Sequence, residues 1–75
     1  MVEIENIRVN GNLASCDFLP NGSEEEKGHI VVDIEKMVIV ERDQEPSMHS
    51  AHAKNLLLDV IKSGEWSGRY TRVWY

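Results

Sequence analysis

One helical stripe constrains this chain more than anything else in it. Ala53, Leu56, Leu57, Val60 and Ile61 recur at spacings of three, one, three and one, which places apolar side chains along one side of an α-helix. The other apolar residues fall in short alternating or β-branched runs, the pattern of strands. A helix with one apolar side must bury it, and a sheet is the partner these strands supply. The pattern predicts a two-layer α+β domain, an antiparallel sheet of four or five strands with one helix packed on one face, in the order β-β-β-(β)-α-β. One helix covers one face, so the opposite face is expected to be polar or covered by another subunit.

Length allows nothing larger. A chain of 75 residues buries only about 60% of its unfolded surface, so residues 1–75 are read as a single domain. The hydrophobic fraction of 41% and charged fraction of 28% are those of a globular protein. No apolar run approaches the roughly 18 to 20 residues that span a bilayer. The start, Met1-Val2-Glu3-Ile4-Glu5, is acidic and alternating, unlike a signal peptide, and Cys16 is the one cysteine. Both features predict a cytoplasmic protein without a disulfide. Thirteen acids against eight bases give a net charge of -5, which works against binding a polyanion over the whole surface.

Along the chain, Val2 and Ile4 alternate in one phase and Ile7 and Val9 in the other. A strand with a bulge near Asn6 accounts for the switch. Asn10-Gly11 predicts a tight hairpin, and Leu13–Leu19 the returning strand, with Ala14, Cys16 and Phe18 on one face and Leu13, Ser15, Asp17 and Leu19 on the other. Residues 20–28 carry Pro20, Asn21-Gly22 and Glu24-Glu25-Glu26, and are expected to form an exposed, mobile loop. Residues 29–42 could run as one long strand, but the usual strand length favours two, 29–33 and 37–42, joined near Ile34-Glu35-Lys36. Pro46-Ser47 signals the helix start and Gly64 its end. Arg69 to Tyr75 then reads as a final strand rich in aromatic residues.

Few residues suggest chemistry. His49 and His52 stand one helical turn apart, where two imidazoles can share a metal, and His29 and Cys16 are the residues that would complete a metal or thiol site. Against this, His49 shares a face with Ala53 and Leu56, as a histidine at a core edge does, and Cys16 aligns with Ala14 and Phe18, as a buried thiol does. Arg69, Tyr70, Arg72 and Trp74 mix cations with rings, a surface on which single-stranded nucleic acid stacks. The same residues also solubilise an edge strand. Leu58 lies nearly opposite the apolar stripe and is expected to face solvent, where it would support association with another chain. The five glycines are scattered, so no phosphate-cradling loop is present, and no cofactor is implied.

Ser15-Cys16-Asp17, Lys27-Gly28-His29 with Val31-Val32-Asp33, His52-Ala53 and the closing Val73-Trp74-Tyr75 together resemble a group of small uncharacterised bacterial proteins. The resemblance spans the chain. It implies a bacterial cytosolic protein whose terminal strand is integral to the fold, and it assigns no role to any residue. The function expected is that of a non-enzymatic interaction or accessory domain, working through its open sheet face or its C-terminal strand and self-associating as a homodimer. Binding of nucleic acid and insertion into a membrane are not expected.

Overall fold

The chain begins as a four-stranded antiparallel meander, β1 (Val2–Asn10), β2 (Leu13–Pro20), β3 (Gly28–Asp33) and β4 (Val38–Arg42). It continues through one helix, α1 (Met48–Ser63), and returns to add β5 (Tyr70–Arg72) antiparallel to β1. The sheet order is β4-β3-β2-β1-β5. These features come from a computed structural model that describes residues 1–74. The two-layer α+β architecture is the one the helical stripe demands, with five strands. Tyr75, read from sequence as the last residue of the final strand, lies outside the described residues.

The parity switch in β1 is a bulge. The register with β2 shifts between Glu5 and Arg8, and Asn6 carries a positive φ of 54°, which asparagine tolerates better than most residues. The extra residue turns Ile7 and Val9 toward the helix, in line with Val2 and Ile4. The hairpin lies one residue later than the Asn10-Gly11 pair suggested: Asn10 still pairs with Leu13, so Gly11 and Asn12 form the loop. Gly11 has the positive φ, 59°, that the first loop position of a II′ turn requires. Residues 34–37 make the β3–β4 turn, with Met37 at φ 59° inside it rather than opening β4. The Asp33 carboxylate fixes this turn by accepting from the Lys36 amide at 2.9 Å.

Ser47 caps α1 as its sequence implied. Its hydroxyl accepts from the Ser50 amide at 3.1 Å, and the Ser50 hydroxyl accepts from the Ser47 amide at 3.0 Å, a reciprocal pair that satisfies two backbone donors. Gly64, at φ 84°, ends the helix by donating its N–H to the Ile61 carbonyl. Ala53, Leu56, Leu57 and Val60 are buried against Val2, Ile4, Ala14, Cys16, Phe18, Ile30 and Val32. Leu58 corrects the expectation for it: it is half-buried and packs on the edge of this core instead of standing free in solvent.

The helix does not reach the whole sheet. Five strands place the outermost pair about 19 Å apart at roughly 4.8 Å per step, whereas a helix with its side chains is about 10–12 Å wide. α1 lies over β1, β2 and β5 and contacts β3 at its margin. β4 projects beyond it, with four of its five residues exposed.

Candidate functional site

The outer face of the sheet, away from α1, is laid out by register. Glu3 and Glu5 of β1, Asp17 of β2 and His29 of β3 share it, because Glu5 pairs with Asp17 and Asp17 with His29. The loop between β2 and β3 folds back onto this face. Lys27 Nζ stands 3.4 Å from Glu5, 3.6 Å from Asp17 and 3.9 Å from Glu24. Arg69, just before β5, reaches Glu5, lies 3.2 Å from Glu3 and 3.5 Å from Glu24. The loop expected to be free is thus tied down by charges, and by Gln44, whose amide donates to the carbonyls of Glu26 and Lys27. Beneath it Leu19 is fully buried.

At the margin of this network Asp17 and His29 form a close pair, Nδ1 to Oδ1 at 2.9 Å, with Asn6 donating to the other Asp17 oxygen at 2.8 Å. Partial burial pushes the Asp17 carboxyl up, but the hydrogen bonds from Asn6 and His29 and the charges of Lys27 and His29 outweigh it. They hold the group below its ordinary value. The sequence set Asp17 on the strand face opposite Cys16 but did not join it to His29. The strands that pair them are joined by the long loop after β2, whose length sets no register, so no local signal marked the pair.

The four residues considered for metal or thiol chemistry are distributed over three places. Cys16 is buried in the helix-side core, where burial and then the Asp17 charge push its thiol up to about 12. At neutral pH it is a thiol and not a nucleophilic thiolate. His29 is on the opposite side of the sheet, bonded to Asp17. His49 and His52 do stay together, and what joins them is Trp74: the indole stacks on His52 with centroids 4.0 Å apart and planes 10° from parallel, and meets His49 edge-on at 5.3 Å. Among the described residues, no three His, Cys, Asp or Glu side chains are grouped to hold a metal ion.

The Arg69–Trp74 series divides as well. Arg69 points to the outer-face carboxylates, while Arg72 pairs with Asp59 of α1 and Trp74 lies against the helix histidines. Tyr70 donates its hydroxyl to the carbonyls of Ser67 and Glu65, at 3.0 and 3.2 Å. After three residues of pairing with β1, the segment leaves the sheet and runs along the helix from Asp59 back toward His49. Both guanidinium groups are held by carboxylates, and the Trp74 ring has one face covered.

β4 is an edge strand, paired with β3 alone. Val38 and Val40 are about half exposed, as are Met37 in the adjoining turn and Leu13 two strands away on the outer face. Asn10, Leu13, Asp33 and Val38 form one cross-sheet row, and Arg8, Ser15, Val31 and Glu41 the next. Asp33 interrupts the apolar surface, but its carboxylate is drawn into the Asn12 and Lys36 hydrogen bonds. On the helix side, Ile39 and Arg42 of β4 face Ser50, Ala51 and Lys54 of α1 across an open groove of about 280 Å³. Sequence reading did not single out β4, because Val38-Ile39-Val40 resembles a core strand.

Comparison with protein-family models, curated proteins and solved structures finds no match to the chain. Among the described residues, no helix is long and apolar enough to cross a membrane.

Proposed function

We propose that this chain is a small non-enzymatic interaction domain that pairs with a second copy of itself through β4 and the adjoining corner of the outer sheet face. The observation that carries this reading is that β4 extends past the helix with Val38 and Val40 exposed beside Met37, and with Leu13 exposed two strands away in the same cross-sheet row. Exposed apolar side chains gathered in one corner are the raw material of an interface core. A second copy suits this corner because β4 is an edge of the sheet that the same edge of another chain can meet. Of the acids near it, Asp33 and Glu35 both accept from the Asn12 amide. A two-fold contact would then set the same apolar patch against itself.

Sedimentation over a range of concentrations tests the proposal. A monomer–dimer equilibrium that Val40→Lys shifts toward monomer is the expected result. A monomer at every concentration, or a dimer indifferent to Val40→Lys and Leu13→Lys, would overturn it.

A further inference from the structure

A second feature of the β4 overhang lies on its helix side. Arg42 of β4 and Lys54 of α1 both line the groove between strand and helix, with Val38, Ile39, Pro46 and Ala51 as its apolar wall. The chain has thirteen acids for eight basic residues, and it pairs Lys27, Arg69 and Arg72 with carboxylates. Among the described residues, neither Arg42 nor Lys54 has a carboxylate within ion-pair distance. Two unpaired cations on facing walls of one groove, in a protein with acids in excess, are a site charge-complementary to an anion. The Ser47 and Ser50 hydroxyls are already bonded to each other's backbone in the helix cap. Recognition therefore falls to the two cations and the apolar wall.

We propose that this groove binds a small amphipathic monocarboxylate, the carboxylate held between Arg42 and Lys54 and a short apolar body laid on Val38, Ile39, Pro46 and Ala51. The volume, about 280 Å³, suits a ligand of a few carbons rather than a long chain. Arginine supplies a planar fork for the carboxylate and lysine a mobile point charge. Ile39, Arg42, Ala51 and Lys54 belong to the helix side of the sheet, and Val38 alone is shared with the proposed self-association surface.

Titration of the isotopically labelled protein with hexanoate, followed by amide resonances, tests this directly. The expected result is saturable shifts centred on Ile39, Ser50 and Ala51, weakened by salt and absent with hexanol, which keeps the apolar body and lacks the charge. Arg42→Gln and Lys54→Gln, each on the surface and expected to leave the fold intact, should each weaken binding about threefold to tenfold. The proposal is overturned if hexanoate gives no saturable shift, if hexanol shifts the same amides equally, or if the double variant binds hexanoate as the unaltered protein does.

Discussion

β2 and β4 belong to one sheet, yet they meet different fates. β2 carries Ser15 and Asp17 among its apolar residues and is buried on its helix side at Ala14, Cys16 and Phe18. β4 begins with three consecutive β-branched apolar residues, and only Ile39 of the strand is even half-buried. Composition would rank them the other way. Position relative to the helix decides: one helix about 10–12 Å wide lies over β2, β1 and β5, and the edge strand at the far side is left over. β5, at the other edge, is protected because it is only three residues long and the chain after it is clipped to the helix by Arg72–Asp59 and Trp74. β4 has a register shift near Val40 and the charges of Glu41 and Arg42, devices that blunt an edge without hiding its apolar half.

The contrast predicts a graded series of effects. Phe18→Ala removes the largest of the fully buried side chains and should cost about 3–5 kcal/mol in chemical denaturation, enough to leave a chain of this size largely unfolded. A loss under 1 kcal/mol would mean that β2 is not the centre of the core. Gly28→Ala approaches the same spot from the next strand: a Cβ there would lie 2.6 Å from the Phe18 ring, so overpacking should cost about 1–3 kcal/mol. Trp74→Ala should cost about 0.5–1.5 kcal/mol for the lost ring stacking, and should raise hydrogen exchange in β5 before β3.

The ion network gives a smaller, pH-dependent effect. The Asp17 carboxyl is held below its ordinary value, so the stability it contributes is present above the unfolded carboxyl range and is lost as pH falls through the lower, folded value. Asp17→Asn should therefore lower stability at neutral pH by less than about 1 kcal/mol, with the difference vanishing in acid. A gap that widened in acid would reverse the sign and refute the assignment. Val40→Lys stands last. It should change stability by no more than about 0.5 kcal/mol, because the side chain is already in solvent, while it disrupts self-association.

Local chemistry was legible in the sequence; reach was not. The bulge at Asn6 followed from a parity switch, the helix from its stripe and caps, and the β3–β4 turn from the length limit on strands. Each depends on neighbours a few residues apart. Lys27 meeting Glu5, or Arg69 meeting Glu3, joins residues distant in sequence, and alternation alone offered no sign that the 20–28 loop would be anchored. Leu58 was placed in solvent by a helical wheel that took no account of how far the sheet and the C-terminal segment wrap the helix. Arg69 to Tyr75 reads from sequence as one strand, but β5 stops at Arg72 and Trp74 lies on the helix. Of the candidate surfaces, His49 and His52 were found as a pair, whereas their Trp74 partner, the Asp17–His29 contact and the Arg42–Lys54 groove all required the fold.

β4 is uncovered in a single chain and would be covered in the proposed pair. Amide hydrogen exchange measured at low and high protein concentration tests it most directly. β4 amides should exchange through shallow local opening when dilute and become protected as concentration rises, while β2 amides, already at the level of global unfolding, respond only to the added stability of the pair. Concentration-independent exchange throughout β4, or protection gained at β5 and the Trp74 segment instead, would contradict the account.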